Sequence, residues 1–483
     1  MSEARKPVVA IAGATGFVGQ ALRCALVEDH EVIGLTRSPT RASMKDDDGV
    51  VWRHCDLFSM SNTARALKDV DIAIYLVHSM MPSARLDQAS FMDLDLLLAD
   101  NFARAAEQQG VKQIVYLGGI HPKDDKLSRH LESRLEVERT LAARSCPVTA
   151  LRAGLVVGPG GSSMSMMVKL VARLPFMILP KWTRQRSAPI AIQDVVRAVR
   201  YCVGREDTFG ESFEIGGPDV ITYQQMMERT AKVLNKAIRM VPVPFFSVAL
   251  SRRWVSLITG ASDALVGPLI ESLEHSMIPE DNRLQRWLLE DATSFDQALS
   301  SSVDERGRVL PNPRQTIRSS DQNKLIEMKT VRSVQRMPRP VDKDARWVAA
   351  EYMRWLPRFV WPILAVRVSE RGVIGFWLRF IPLCLLELTH APDRSEDDRQ
   401  LFRITGGFLA NNKSPIPGRF EFREVLNRKA IIAAIHDFKP RLPWYVYNFS
   451  QAVAHLIVMR GFGRHLGRVR PNQEVAQLSE KAS

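Results

Sequence analysis

The chain has 483 residues, 46% of them hydrophobic and 25% charged, and a formal net charge of +13. This balance excludes a disordered or collagen-like chain, and the length exceeds what one core supports, so two or three domains are expected. Five cysteines, odd in number and without metal-ligand spacing, fit reduced thiols rather than a disulfide framework or a zinc site.

In chain order, the first element is an apolar strand over 8–12. It runs into Gly13-Ala14-Thr15-Gly16-Phe17-Val18-Gly19 and a helical stretch starting near Phe17. Gly13 permits the tight turn, Gly16 allows a pyrophosphate to approach the backbone, and Gly19 allows the helix to pack on the sheet. The helix N-terminus adds unpaired N–H groups and a positive dipole end, so Gly13, Thr15, Gly16, Phe17, Val18 and Gly19 form a candidate dinucleotide cradle. Strand patterns recur at 31–36, 50–53, 72–77, 113–117 and 148–151, with helical patterns at 91–109 and 130–144. Alternation of this kind implies a doubly wound parallel α/β sheet with right-handed crossovers. Ligands on such a sheet lie beyond the carboxyl strand ends, which nominates Arg37, Asp56 with Leu57, His78, Gly118, Ala153 and Gly154.

Arg37 stands where a cofactor with a free ribose 2′-hydroxyl wants a carboxylate. A guanidinium there favours NADP, with NAD as the alternative; a solvated arginine is the plainer reading. Asp56 would accept from the adenine amine or, equally, cap a helix. Asp194, in Pro189-Ile190-Ala191-Ile192-Gln193-Asp194-Val195, is expected to cap a helix.

These residues, with the strand Ile114–Gly119 and the stretches 130–137 and 151–158, resemble the atypical, NmrA-like branch of the short-chain dehydrogenase/reductase superfamily. The closest resemblance is to YbjT-like proteins, which are related to the NAD(P)H-binding accessory subunit of respiratory complex I. The resemblance covers about the first 280 residues and implies a Rossmann fold, a nicotinamide dinucleotide and oxidoreductase-like chemistry. Active members carry Tyr-x-x-x-Lys on the helix after the fifth strand. This chain has His130-x-x-x-Arg134 there, four apart and so on one helix face. Arg134 would hold ribose or pyrophosphate, and His130 is the candidate acid–base residue or a solvated side chain. The missing tyrosine argues against tyrosine-dependent carbonyl reduction. It leaves an NADP-dependent oxidoreductase with a hydrophobic substrate beside a non-catalytic NADP(H)-binding sensor or assembly factor.

The expected organisation is a dinucleotide-binding domain with a small substrate lobe over 1–285, a polar linker over 286–322, an α+β domain over 323–470 and a flexible tail over 471–483. Within the α+β domain a strand over 324–336 and a helix over 343–356 precede strands at 373–380, 383–389, 400–409, 418–425 and 430–438, and a helix over 443–466 closes it. Alternation places Phe420 and Phe422 on one face of the strand and Glu421 and Arg423 on the other. This order resembles the START-like helix-grip fold, which implies an apolar pocket for a hydrophobic small molecule or, equally, a filled core. Trp444, Tyr447, His436 and Arg403 are candidates to orient such a ligand.

No segment has the roughly 18 to 20 uninterrupted apolar residues of a membrane span, and no leader pattern precedes the first strand. A cytoplasmic protein is expected. The basic and apolar stretch 169–186, with Arg460, Arg464, Arg468 and Arg470, suits peripheral contact with the inner face of an anionic membrane. A solvated basic surface is the alternative. No nucleic-acid motif is present in the sequence, and none is expected as a partner.

Overall fold

The computed structural model describes residues 5–43, 49–79, 86–122, 127–243, 248–260, 263–311, 330–370, 372–411 and 417–469. They fall into two units, 1–81 with 98–321, and 82–97 with 322–483.

The first unit contains the strands β1 (Val8–Ala12), β2 (Glu31–Thr36), β3 (Val50–His54), β4 (Ile72–Tyr75), β5 (Gln113–Gly119) and β6 (Val148–Ala153), whose apolar residues are largely buried on both faces, except that β3, at the sheet edge, leaves Val51 and His54 exposed. A further strand, β7 (Ser212–Ile215), was not apparent in the sequence pattern, because only Phe213 and Ile215 are apolar and buried in a four-residue run. The order is β3-β2-β1-β4-β5-β6-β7, and every pairing is parallel. Strand order reverses between β1 and β4, where an open α/β sheet forms its ligand crevice. This is a Rossmann-like α/β fold.

Helices α1 (Phe17–Leu26) and α2 (Arg129–Leu141) follow β1 and β5, and Ser128 caps α2 by accepting from the Leu131 N–H. Helices α3 (Ser162–Arg173) and α4 (Tyr223–Val233) build a second core with Trp182, Val255, Val266 and Phe295. That packing corrects two expectations. Leu170, Val171, Met177, Leu179 and Trp182 are buried, so most apolar side chains of the 169–186 stretch pack in a core, with Phe176 left 48% exposed. Residues 286–311 are not linker: the helices Arg283–Leu289 and Phe295–Ser300 bury Leu288, Phe295, Ala298 and Leu299. Asp194 is not a helix cap. It lies buried in the first turn of its helix, accepting from the Thr293 N–H at 2.8 Å and from Arg197 at 3.1 Å.

The second unit is an antiparallel sheet of β8 (Val331–Pro338), β9 (Leu364–Val368), β10 (Val373–Leu378), β11 (Cys384–His390), β12 (Arg399–Gly406), β13 (Arg419–Val425) and β14 (Ala430–Phe438). The order is β9-β10-β11-β12-β13-β14-β8, and the short strand Leu86–Gln88 adds to the outer edge of β8 in parallel. Of the expected first strand, 324–329 lies outside the described residues, as do 312–322 of the linker and the 471–483 tail. Helix α5 (Ala345–Phe359) follows β8; the closing helix is two, α6 (Trp444–Phe449) and α7 (Gln451–Leu466), with Ser450 between them out of helical geometry.

Phe420 and Phe422 project from β13 against Tyr352 of α5, with ring centroids 5.5 and 5.3 Å apart, and Phe462 of α7 lies 5.0 Å from Tyr352. The space between sheet and helices is thus packed by aromatic rings. The opposite face of β13 is also buried. There Glu421 accepts from Arg399 and Arg423, each at 2.7 Å, and lies 3.2 Å from His436. His436 therefore faces away from the aromatic core, and Arg403 forms an exposed pair with Asp393, so neither orients a ligand in that core.

Burial raises the Glu421 carboxyl, but Arg399 and Arg423 overcome it and hold the group well below the ordinary carboxylate range. Its stabilisation is present above the unfolded carboxyl value and is lost as pH falls through the folded one. Glu421→Gln should cost about 3–5 kcal/mol, because two buried guanidinium groups lose their counter-charge. Urea denaturation of the full chain at neutral pH checks this, and a loss below about 1 kcal/mol would contradict the ion-pair account.

Candidate functional site

Gly13 holds φ at +92°, and the Gly16 N–H returns to the Gly13 carbonyl at 2.8 Å, closing the turn out of β1. A Cβ on Gly13 would meet Leu76 at 3.1 Å, and one on Gly19 would lie 2.3 Å from the Gly13 oxygen, so both positions need glycine. Gly16 is the N-cap of α1 and offers no side-chain cap; the first turn holds no acid. The cradle therefore presents helix-end N–H groups and an uncancelled dipole, as an anionic pyrophosphate requires. Thr15 is half-buried beside them.

Arg37 is exposed immediately after β2. Neighbouring Arg41 lies 4.9 Å over the Trp52 ring, and Ser38 caps the short helix that follows. Asp56 accepts from the Phe58 N–H at 3.2 Å and so shapes the turn after β3. The Leu57 side chain is buried, and its carbonyl is held by buried Asn101 at 2.8 Å.

At the other end of the crevice lies a cavity of about 390 Å³. Phe17, Val18, Gly119, His130, Ala153 and Gly154 form the wall nearest the strand ends, while Met166, Met167, Trp182, Tyr223, Met227, Val255, Val266 and Ile270 complete an apolar lining. The Phe17 ring lies against Gly158 and Gly161, where a Cβ would sit 3.1 and 3.2 Å from it. Gly118 is turned from this wall, with the Tyr116 ring against its α-carbon.

His130 is half-buried on α2 and faces this cavity rather than bulk water. Its Nδ1 lies 3.1 Å from Nε2 of His78, which follows β4. Burial pushes the His130 imidazole well below its ordinary range, and His78 and Arg134 push it further the same way, so it is neutral at neutral pH. With Nδ1 committed to His78, Nε2 is the nitrogen left for a group in the cavity. Tyr223 stays protonated there, because burial raises its phenol to about 12.

Arg134 sits one turn beyond His130, as the spacing predicts, but its guanidinium donates to the Leu117 carbonyl at 2.7 Å and to the Val77 carbonyl at 3.5 Å. The Tyr116 hydroxyl donates back to the Arg134 carbonyl at 3.0 Å. Arg134 therefore ties α2 to the ends of β4 and β5. The sequence reading missed the Met, Trp and Tyr lining because the 160–270 stretch reads as generic amphipathic helix; Met226-Met227 beside Tyr223 was the available signal.

Residues 13–159 match a family described as NAD(P)H-binding. The auxiliary protein GraX of Staphylococcus aureus is 33% identical over 124 residues, 26% of this chain and 40% of that protein. Subunit 9 of the NADH dehydrogenase [ubiquinone] 1 alpha subcomplex from Arabidopsis thaliana is 22% identical over 246 residues, 49% of this chain and 60% of that protein. A ceramide reductase of Caulobacter vibrioides is 25% identical over 288 residues, 58% of this chain and 88% of that protein. The chain thus spans less than two thirds of the length of the first two relatives. Residues 13–159 form a nicotinamide-dinucleotide-binding segment.

Because Arg134 bonds strand-end carbonyls, Arg134→Ala should lower stability without any nucleotide present, by about 1–3 kcal/mol. Denaturant unfolding of the nucleotide-free protein measures it; unchanged stability with weakened nucleotide binding would assign Arg134 to the ligand instead.

Proposed function

We propose that the first unit is an NADP(H)-dependent reductase acting on a small apolar carbonyl or quinone-like compound bound in the 390 Å³ cavity. The observation carrying this reading is His130 in the cavity wall with Phe17 and Val18, backed by His78 at 3.1 Å. The glycine turn suits a dinucleotide, since Gly13 and Gly19 hold the backbone where a Cβ would clash, and exposed Arg37 suits a 2′-phosphate. NAD is the alternative cofactor.

A bound NADPH would supply the hydride to the substrate carbon. Phe17, Val18 and the methionines would hold the apolar body and exclude water. The His130 Nε2–H would give its proton to the developing alkoxide. In the same step Nδ1 would take the Nε2 proton of His78, and His78 Nδ1 would draw one from solvent, leaving both imidazoles neutral. The pair replaces the tyrosine and lysine of the superfamily, and Arg134 positions α2 without touching the cofactor. The name of the ceramide reductase relative agrees with an apolar substrate.

The engagement of Arg134 with backbone carbonyls favours a second reading, a non-catalytic NADP(H)-binding sensor or assembly factor. The START-like ancestry of the second unit belongs with these proposals; its antiparallel sheet and closing helices support it.

Two measurements test the reading. Arg37→Glu should reverse a preference for NADPH over NADH in titration calorimetry; equal affinities in the parent, unchanged by the substitution, would refute the 2′-phosphate role. With apolar quinones and aldehydes, His130→Ala should lower kcat by roughly 10²–10⁴-fold, with nucleotide affinity retained. Full turnover in that variant would remove His130 from the chemistry, and no turnover by the parent would leave the sensor reading.

A further inference from the structure

We infer that the second unit docks on an anionic bilayer through one apolar face rimmed by arginine. The face runs along the outer side of the closing helices and across the turn after α5. Val453 and Ile457, four residues apart on α7, are 45% and 56% exposed. One turn on, Gly461 leaves room for the Phe359 ring, where a Cβ would come within 2.7 Å of it. The chain then turns through Trp361 and Ile363, 66% and 60% exposed. The Ile363 carbonyl accepts from the Arg379 N–H at 3.0 Å, which brings Phe380, 81% exposed, and Ile381 alongside. Hydrogen bonds, ring packing and helical spacing thus join these side chains into one patch.

A soluble monomer rarely leaves several large aromatic and aliphatic side chains together in water. Among the described residues, exposed Arg358, Arg379 and Arg460 border the patch without a carboxylate partner, while nearby Glu351 is engaged by Arg354 and His465, each at 3.0 Å. A wedge of Trp, Phe and Ile beneath a rim of guanidinium groups matches the acyl boundary and phosphate layer of an anionic leaflet. A second copy is disfavoured, since a twofold contact through this face would set the same arginines against one another. No helix among the described residues is long and apolar enough to cross a membrane, so contact at the surface is the mode such a face allows. The inference is independent of the reductase reading.

Co-sedimentation of the full chain with vesicles tests it, using phosphatidylcholine alone and equal parts of phosphatidylcholine and phosphatidylglycerol. Binding to the mixed vesicles should exceed binding to the neutral ones by roughly a hundredfold and fall with added salt. W361S/F380S should lose more than tenfold of that binding by removing the wedge. R358Q/R379Q/R460Q should bring the mixed vesicles to the level of the neutral ones. Both variants should keep the parent's circular dichroism and NADPH affinity, which separates this test from that of the reductase reading. Vesicle binding unchanged in both folded variants would overturn the inference. So would a dimer abolished by W361S/F380S in a parent that ignores both vesicle types.

Discussion

A Cβ at position 19 would sit 2.3 Å from the Gly13 carbonyl, and the site in the first unit depends on that absent atom. Only glycine lets α1 start hard against the turn from β1. Its first N–H groups then point into the crevice where strand order reverses between β1 and β4. The next residues, Phe17 and Val18, form one wall of the apolar cavity. One backbone constraint thus puts the helix end of the glycine cradle beside a largely apolar cavity, and the α2 helix supplies that cavity with an imidazole.

The two units handle buried polarity differently. Around the cavity, burial keeps His130 neutral and Tyr223 protonated, so the wall offers proton donors and acceptors without charge. In the second unit a full carboxylate, Glu421, is kept ionised by two guanidinium groups on the sheet face away from the aromatic core. The first arrangement would suit the proton transfer of the proposed reduction. The second costs desolvation and returns specificity, because only one strand register brings Arg399 of β12 opposite Arg423 of β13.

The glycine cradle, the parallel sheet and the one-face placement of His130 and Arg134 were legible in the sequence, since each rests on local spacing and strand–helix alternation. The alternation of β13 was legible too, with Phe420 and Phe422 on the face packed by Tyr352. The partnership of His78 with His130, 52 residues apart, was not, because strand order brings them together. Nor was the burial of the 169–186 stretch: basic residues interleaved with Leu and Trp read alike whether the apolar side meets a membrane or a core. Arg134 sat where expected and bonded to something else, since a guanidinium satisfies carbonyls as readily as phosphates.

A crystal structure with bound NADPH tests the central claim most directly. The account predicts the pyrophosphate over the Gly16 end of α1, the 2′-phosphate beside Arg37, and the nicotinamide ring at the cavity mouth next to His130. A nucleotide bound elsewhere, or a nicotinamide turned away from the cavity with His130 on its far side, would contradict it.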